Sequence, residues 1–236
     1  MKRPKTTIVI PIYNEARTIN ASLSRLITYL KKSGLNYDIV LFDDASTDNL
    51  SSALPKPLPE NVSLIRNTVR MGRGETLKKA IRSSKTDIIV YLDADLSFEL
   101  DILPLLIKEI EKGTDIAIGS RLLSGSKAKR SRTRMLASKT YNGLARSVLG
   151  SKVHDHQCGC KAFNRKNIIP LLPPLKSKHW FWDTELLVVA QKKSLKISEI
   201  PVIWWEGSYS SVNVLRDAVV MFGSIISLRL RLGKIT

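Results

Sequence analysis

Residues 87–95 read DIIVYLDAD, an apolar run that ends in two aspartates. A strand buried on both faces of a parallel sheet has such a nearly continuous apolar sequence. Asp93 and Asp95 would then lie at the carboxyl edge of that strand, where open α/β sheets bind their ligands. Two carboxylates at i and i+2 suit Mg²⁺ or Mn²⁺, which can in turn hold a diphosphate. The alternative is an acidic turn that simply follows a strand.

Strand and helix patterns alternate on both sides of this stretch. The predicted strands are Thr6–Pro11, Tyr37–Phe42, Val62–Arg66, Asp87–Leu92 and Asp115–Gly119, and the predicted helices are Glu15–Ser33, Gly74–Ser83 and Ile102–Lys112. This β-α-β-α order predicts an α/β fold with a doubly wound, mostly parallel sheet over residues 1–120. Polar residues follow three of the strands, at 14–15, 43–44 and 93–95, and we expect them to meet at one edge of the sheet.

The second half of the chain has shorter predicted elements and more basic residues. A helix is predicted from about Arg134 to Leu149, strands near 157–164 and 197–205, and an amphipathic helix over 212–232. No uninterrupted apolar stretch reaches ~20 residues, so no transmembrane helix is predicted. The basic N-terminus leads straight into the first strand, without the pattern of a signal peptide.

The 236 residues include 38 Lys and Arg against 21 Asp and Glu, a formal net charge of +17. Such an excess favours polyanionic partners, namely nucleic acid, anionic membrane surfaces or phosphorylated substrates. Cys158 and Cys160 are too close for an unstrained disulfide, which predicts reduced thiols and a cytosolic environment. His154 and His156 lie nearby, so a zinc site is the less favoured alternative.

Several short strings together resemble a known family. Residues 11–15 (PIYNE), 43–48 (DDASTD), 93–95 (DAD) and 119–121 (GSR) resemble, in order and spacing, the nucleotide-sugar domain of glycosyltransferase family 2, which has the GT-A fold. Residues 157–163 (QCGCKAF), 182–187 (WDTELL) and 199–202 (EIPV) resemble its polyprenyl-phosphate branch, the dolichyl-phosphate mannose synthases and glucosyltransferases. The second group of strings is closer to the glucosyltransferases.

The resemblance implies a metal-dependent, inverting transfer of a hexose from a nucleotide-diphosphate sugar to a polyprenyl or dolichyl phosphate. It implies a GT-A domain over residues 1–211, with a nucleotide-sugar half at 6–121 and an acceptor half at 122–211. Residues 212–236 would form a C-terminal amphipathic helix at the membrane surface. The mannose synthases carry an Arg and a Lys after the EIPV strand, whereas residues 204–211 here read WWEGSYSS and no basic residue occurs before Arg216. This departure favours UDP-glucose as the donor, with GDP-mannose next.

Carried over residue by residue, the resemblance also implies a donor site. The base and ribose pocket would be lined by Pro11, Tyr13, Glu15, Leu41 and Asp43, with Leu41 under the base. The cation, Mg²⁺ or Mn²⁺, would be held by Asp93 and Asp95. The sugar diphosphate would be bound by the same segment 93–95, with Ala94 between the aspartates, and by Lys161 and Arg121, whose guanidinium suits phosphate oxygens. Ser97 stands where the mannose synthases have Gln, and because Ser is shorter, a water would intervene between it and the cation.

The implied acceptor site lies in the second half. Arg134 and Ser138 match the residues that hold the lipid phosphate, and at i and i+4 they share one helix face. The basic loop 127–132 would support them, because an anionic phosphate needs positive charge around it rather than a general base. Asp183 would orient the sugar or Lys161, it would be the base if the acceptor were a hydroxyl, and otherwise it is a helix N-terminal carboxylate.

The C-terminal segment predicts a peripheral protein on the cytoplasmic face of the membrane, bound to anionic lipid. A separate membrane subunit is compatible with this prediction. Two other functions remain open. One is a family 2 enzyme that glycosylates a saccharide or another hydroxyl acceptor. The other, suggested by charge alone, is a non-enzymatic nucleic-acid-binding protein, and it leaves the acidic strand ends unexplained, so nucleic acid is not an expected partner.

Overall fold

The computed structural model describes residues 5–206 and 214–233, and the side chains of these residues except 214–219. The described residues form nine strands, β1 Thr6–Ile12, β2 Tyr37–Asp43, β3 Val62–Arg66, β4 Ile88–Leu92, β5 Ile116–Ser120, β6 Lys127–Lys129, β7 Cys160–Asn164, β8 Ile197–Pro201 and β9 Ile203–Trp205. They also form helices α1 Ile19–Ser33, α2 Leu50–Ala53, α3 Arg73–Ser83, α4 Ile102–Glu111, α5 Arg132–Leu149, α6 Arg165–Ile168, α7 Trp182–Lys192 and α8 Val214–Leu232, and a 3-10 turn at Ile169–Leu171.

Seven strands form one sheet in the order β3-β2-β1-β4-β7-β5-β8. All neighbouring pairs are parallel except those of β7, which runs antiparallel to both β4 and β5. The mostly parallel α/β sheet that the sequence predicts is therefore confirmed. Because β7 comes from the second half of the chain, strands of both halves share this sheet. A small second sheet pairs β6 with β9.

The core has one layer on each face of the sheet, as the alternation of side chains along β1 requires. Ile8 and Ile10 pack in the cluster that contains α1 and α4 residues. Val9 packs on the opposite face, with Leu77 of α3 and Trp182 of α7. The two helix layers cover the strands, and their carboxyl ends remain at one edge.

Helix α1 begins at Ile19, four residues later than predicted. Asn14 has a positive φ of 58°, and the amides of Thr18 and Ile19 both donate to the Glu15 carbonyl, so residues 15–18 form a turn. The helix ends at Gly34, as predicted, where φ is 62°. The loop between β1 and α1 is thereby extended over the carboxyl edge of the sheet.

The predicted C-terminal helix is present as α8. Its inner face, with Ile225, Leu228 and Leu232, packs in a third cluster against Ala145 of α5 and Val188 of α7. No helix among the described residues has the length and apolarity that crossing a bilayer would need. Residues 207–211 and the side chain of Arg216, on which the donor prediction partly rests, lie outside the described part of the chain.

Candidate active site

The carboxyl ends of β2 and β4 each place an aspartate at the same edge. Asp43 is 1% exposed, its Oδ1 accepts from the Ser46 amide at 2.8 Å, and its Oδ2 lies 3.3 Å from Arg66 Nε. Asp44 accepts from the amides of Met71 and Gly72 at 2.8 and 2.7 Å. Asp43 therefore borders the predicted nucleotide pocket with both carboxylate oxygens engaged, and Asp44 fixes the loop that precedes α3.

The other predicted pocket residues differ in their surroundings. The Tyr13 ring lies under the guanidinium of Arg70, 3.8 Å from ring centroid to Cζ. Pro11, two residues earlier in β1, is half-buried. Burial raises the pKa of Glu15, and the nearby charges of Asp95 and Asp93 raise it further. Glu15 is thus close to the two aspartates, as the shared sheet edge predicts.

Leu41 is the one predicted pocket residue with no accessible surface. Its exposure is 0%, and it lies opposite Ile10 in the sheet, within the core cluster of α1. The prediction that Leu41 lies under the base is therefore corrected. Alternation along β2 turns this side chain into the protein, because residues 39 and 41 share the face that α1 covers.

Asp93 is held in place by three neighbours. Its Oδ1 accepts from the Tyr91 hydroxyl and from Arg73 Nη1, the latter at 3.1 Å. A Cβ on Gly159 would lie only 2.1 Å from Asp93 Oδ2, so only glycine allows this approach. The Asp93 amide also donates to the Gly159 carbonyl at 2.8 Å. The β4 end and the start of β7 together orient this carboxylate.

Asp95 has an exposed side chain that Ser97 holds in place. The Ser97 hydroxyl donates to Asp95 Oδ2 at 2.5 Å, and Ala94 between the aspartates is 6% exposed. Partial desolvation raises the pKa of Asp95, and the charge of Asp93 raises it further. Two carboxylates that repel each other form a donor set suited to a divalent cation, whose other positions diphosphate oxygens and water commonly fill. The residues present therefore fit Mg²⁺ or Mn²⁺, with Ser97 acting through Asp95.

Arg73 is a central residue that the sequence analysis missed. Its Nη1 donates to the Tyr91 hydroxyl at 2.6 Å and to Asp93, and its Nη2 donates to Asp183 Oδ2. The guanidinium also lies 4.4 Å from the Trp180 ring centroid. Burial alone would lower the pKa of Arg73, but the carboxylates of Asp183 and Asp93 raise it above its ordinary value. Arg73 is thus a permanent cation between the two acidic residues.

Asp183 lies between two cations in the first turn of α7. The residue is fully buried, and its Oδ1 is 2.8 Å from Lys161 Nζ, while Oδ2 accepts from Arg73. Lys161 also donates to the Cys158 carbonyl at 2.5 Å. A carboxylate with a cation on each oxygen is poorly arranged to take up a proton. The geometry suits the orienting role for Asp183 better than that of a base.

A second group of charged residues lies beside these carboxylates. Arg121 donates from Nε and Nη2 to both oxygens of the buried Asp155, at 2.7 and 2.8 Å. Burial alone would raise the pKa of Asp155, but the pairing with Arg121 lowers this pKa to about 2. The Trp204 ring lies 5.4 Å from the Arg121 guanidinium and 5.3 Å from that of Arg130. Two arginines thus flank one indole.

Arg134 and Ser138, predicted for the acceptor, lie on consecutive turns of α5. Arg134 Nη1 donates to Glu206 Oε1, and Ser138 is half-buried. The Trp205 amide donates to the Ser97 carbonyl at 3.0 Å, which joins β9 to the loop after Asp95. This hydrogen bond connects the segment of Trp204 and Glu206, around which the arginines of the second half lie, to the loop that follows Asp95.

The cysteine and histidine side chains take no part in this site. Cys158 and Cys160 are free and buried, with 3.8 Å between their Sγ atoms. His154 Nδ1 contacts Glu199 at 2.7 Å, and His156 lies between Asn142 and Ser151. The described residues contain no group of three or more His, Cys, Asp or Glu that could hold a metal ion, which gives the zinc alternative no support.

The fold defines the class of protein. Glucosyl-3-phosphoglycerate synthase from Mycobacterium tuberculosis, solved with uridine diphosphate, superposes with a TM-score of 0.69, 20% identity and coverage of 96% of this chain and 79% of that one. Mannosyl-3-phosphoglycerate synthase from Rubrobacter xylanophilus superposes with a TM-score of 0.72 and 16% identity, and the match covers 99% of this chain and 76% of that one. These likenesses establish the GT-A fold.

The sequence then gives the family. Residues 7–171 match the model of glycosyl transferase family 2, and the chain belongs to that family of enzymes. Glycosyltransferase AglD of Haloferax volcanii is 33% identical over 94% of this chain and 36% of its own length. The dolichyl-phosphate beta-glucosyltransferase of Saccharomyces cerevisiae is 30% identical over 95% of this chain and 74% of its own length. The chain thus spans about a third of the Haloferax protein, and its resemblance to the polyprenyl-phosphate branch is confirmed.

Proposed function

We propose that this glycosyltransferase moves a hexose from a nucleotide-diphosphate sugar, UDP-glucose first and GDP-mannose next, to the phosphate of a polyprenyl or dolichyl lipid. The observation that carries the proposal is a group of three arginines around Trp204 and Glu206, namely Arg121, Arg130 and Arg134. The segment they surround is hydrogen-bonded to the loop that follows Asp95. A phosphate monoester needs such positive charge to approach an anionic donor. The names of the yeast relative and of others like it support a dolichyl-phosphate acceptor.

The chain's own residues suggest how the donor is bound. Asp93 and Asp95 would hold Mg²⁺ or Mn²⁺, which offsets the charge that grows on the leaving nucleoside diphosphate. A solved neighbour with the same fold contains Mn²⁺ and UDP-glucose. Tyr13 offers a ring for the base, with Arg70 already stacked on it. Glu15 and Asp43 lie where a ribose or base donor would need an acceptor.

The transfer itself needs no general base. A phosphate oxygen of the acceptor attacks the anomeric carbon, the bond from that carbon to the diphosphate breaks, and the configuration inverts. Arg134 and Ser138 hold the acceptor phosphate, while Arg121 and Lys161 stabilise charge on the donor side. Asp183, fixed by Arg73 and Lys161, orients the sugar. A hydroxyl acceptor would need a base, and the two cations on Asp183 disfavour that role.

The outer face of α8 supports work at a bilayer surface. Val220, Phe222, Ile226 and Leu230 are 61%, 51%, 40% and 75% exposed, while the opposite face packs on α5 and α7. An apolar face of this kind inserts into the interfacial region, and basic residues add attraction to anionic lipid. We propose that the enzyme is peripheral and acts on the cytoplasmic face of the membrane, and a separate membrane subunit is compatible with this arrangement.

The proposal is tested by transfer of label from UDP-[14C]glucose and GDP-[14C]mannose to a polyprenyl phosphate in detergent, with Mg²⁺ or Mn²⁺. Label is expected in the organic phase, and it is lost with EDTA and in Asp95→Asn. Asp87→Asn is the matched control, because Asp87 is exposed at the opposite edge of the sheet. No label in the lipid with either donor, together with label on a saccharide, would instead establish a hydroxyl acceptor.

A further inference from the structure

Glu206 directly follows β9 and reaches into the group of arginines. Its Oε1 accepts from Arg134, and its Oε2 accepts from the Ser131 amide at 3.3 Å. The Glu206 amide donates to the Lys129 carbonyl at 3.1 Å, which fixes the backbone from which the side chain extends. The carboxylate therefore rests on an arginine and on the amide that precedes the first turn of α5.

An arginine and a backbone amide at the start of a helix are the groups that proteins use to bind phosphate. Helix α5 is 18 residues long, so its amino end carries the usual partial positive charge. Here an anionic group of the chain itself occupies that place, which shows that the site accepts an oxyanion. Glu206 marks the position, and its two oxygens imitate two oxygens of a phosphate.

Arg130 completes the positive surroundings. It is half-buried beside Trp204, and within the described part of the chain its Nε is buried without a hydrogen-bond partner. Burial lowers the pKa of Arg130 and the charge of Arg121 lowers it further, while the carboxylates of Glu206 and Asp155 only partly offset this. The guanidinium thus has a donor to offer and an electrostatic reason to meet an additional anion.

The charges match a doubly charged ligand. Arg121, Arg130 and Arg134 face Asp155 and Glu206, and Asp155 is fully engaged by Arg121. If Glu206 moves out, Arg130 and Arg134 remain to meet the roughly two negative charges of a phosphate monoester. The Arg134–Glu206 pair is also easy to open, because its side chains are 29% and 26% exposed and such pairs contribute little stability.

We propose that Glu206 is an internal substitute for the acceptor phosphate, which it yields to a phosphate monoester bound by Arg130, Arg134 and the Ser131 amide. The identity of that monoester as the acceptor rests on the proposed function. Displacement of Glu206 selects by charge, because a neutral hydroxyl cannot compete with a carboxylate for two arginines. Glu206 and Arg130 are thus determinants of acceptor specificity. Arg130 belongs to the basic loop 127–132, whereas no motif of the sequence pointed to Glu206.

The first test is binding of inorganic phosphate and of a short, soluble prenyl phosphate, measured by isothermal titration calorimetry on the full chain. Glu206→Gln is expected to lower the dissociation constants of both ligands by roughly fivefold, since the substitution removes a competing ion pair of modest strength. Glu60→Gln is the matched control, because Glu60 is exposed at the other edge of the sheet, and it leaves both constants unchanged. Equal or weaker binding by Glu206→Gln overturns the proposal.

Arg130 is tested in the same assay against an exposed lysine outside the basic loop. Arg130→Gln is expected to weaken phosphate binding by about tenfold, as loss of a charged hydrogen-bond donor does. Lys152→Gln makes the same change of net charge on an exposed side chain, and it is expected to bind as the wild type does. Equal losses in the two variants would mean that only the net charge of the protein acts, and the role of Arg130 would be abandoned.

Transfer assays separate this inference from the proposed function. If the wild type glycosylates a lipid phosphate and Glu206→Gln leaves the acceptor KM unchanged, the inference fails and the function stands. If Glu206→Gln binds phosphate more tightly and no phosphate acceptor receives sugar, the anion site stands and the function fails. Tighter binding together with a lower acceptor KM supports both.

Discussion

At the scale of single residues, Arg73 has the largest structural role. It contacts a carboxylate 110 residues further along the chain and one at the end of β4. Arg73→Met keeps the length of the side chain but removes its charge, leaving buried Asp183 with Lys161 alone. We expect a loss of about 3 kcal/mol in the free energy of unfolding, the usual result of breaking a buried pair. Urea denaturation measures it.

Arg82→Met is the matched control for Arg73→Met. Arg82 lies on the same helix, α3, and its side chain is exposed. Its replacement is expected to change stability by no more than about 0.5 kcal/mol. Equal urea denaturation midpoints for the Arg73→Met and Arg82→Met variants would show that the contacts of Arg73 add nothing to stability.

Gly159 allows a second test at this scale. A Cβ at this position would lie 2.1 Å from Asp93 Oδ2, so Gly159→Ala must displace that carboxylate. We expect Mn²⁺ affinity in the presence of UDP, measured by electron paramagnetic resonance, to fall by at least about tenfold. The fold is expected to persist, because the displaced side chain is at the sheet edge.

Gly143→Ala provides the comparison for Gly159→Ala. Gly143 lies within α5, and nothing is within 4 Å of a Cβ built there. Alanine is the better helix former, so this variant is expected to gain about 0.5–1 kcal/mol and to bind Mn²⁺ normally. Unchanged metal binding in Gly159→Ala would mean that Asp93 need not remain where the structure has it.

The site was only partly predictable from residues. Asp93 and Asp95 were found because a buried strand and the sheet-edge rule are both local signals. Arg73 lacks such a signal, since its partners are distant in sequence. The available signal was its two neighbouring glycines, Gly72 and Gly74, since glycine often marks a close approach of the backbone to another segment. In the structure a Cβ on either glycine would collide with residues 177–182. The prediction that Leu41 lies under the base was wrong, although the alternation of side chains along β2 already indicates that Leu41 faces the core.

At the scale of elements, His156 joins α5 to the loop that carries Asp155. Its Nδ1 contacts Asn142 Oδ1 at 2.7 Å, and its Nε2 contacts Ser151 Oγ at 2.8 Å. Asn142 Nδ2 in turn donates to the Ser138 carbonyl at 2.9 Å. The position of α5, and of Arg134 and Ser138 on it, therefore depends on a neutral imidazole.

This imidazole predicts acid sensitivity. Burial lowers the pKa of His156 to about 4, below the ordinary value of about 6.5 that it has in the unfolded chain. The unfolded state therefore binds the proton first, and stability is lost as the pH falls from about 6.5 to 4. The loss attributable to His156 is about 3 kcal/mol, measured by urea denaturation across this range.

Two substitutions separate this effect from general acid unfolding. His156→Gln is expected to flatten the decline between pH 6.5 and 4, because no group at that position then titrates. His179→Gln replaces an exposed histidine and is expected to keep the slope of the wild type. An unchanged slope in His156→Gln would assign the decline to other groups.

The elements show what local pattern can and cannot predict. The strands β1 to β5 were predicted to within about a residue because their apolar runs are long and bounded by polar residues. The direction of β7 was not predictable, since nothing in CKAFN distinguishes a parallel from an antiparallel neighbour. Similarly, the apolar stripe of α8 predicted an amphipathic helix without showing that α5 and α7 cover one side of it.

At the scale of the whole molecule, the net charge of +17 and the outer face of α8 act together. We expect sedimentation with vesicles that contain phosphatidylserine, and weaker binding as salt rises, since each basic residue near the surface contributes about 1 kcal/mol. Replacing Phe222 and Leu230 by Ser is expected to weaken binding by about tenfold or more. The same change at Leu105 and Val69, which are exposed elsewhere, leaves binding intact. Equal binding by both double variants would remove α8 from the membrane contact.

The antiparallel strand β7 also governs when the protein can be completed during translation. Strands β1 to β4 can pair as they leave the ribosome, but β5 cannot join them, because its place beside β4 belongs to a strand made later. Until residue 164 emerges, β4 presents an open edge that other chains could join. The open edge of β4 in the nascent enzyme therefore needs protection from association with other chains until β7 has been made. Lys161, which lies in β7, joins the site only at that stage.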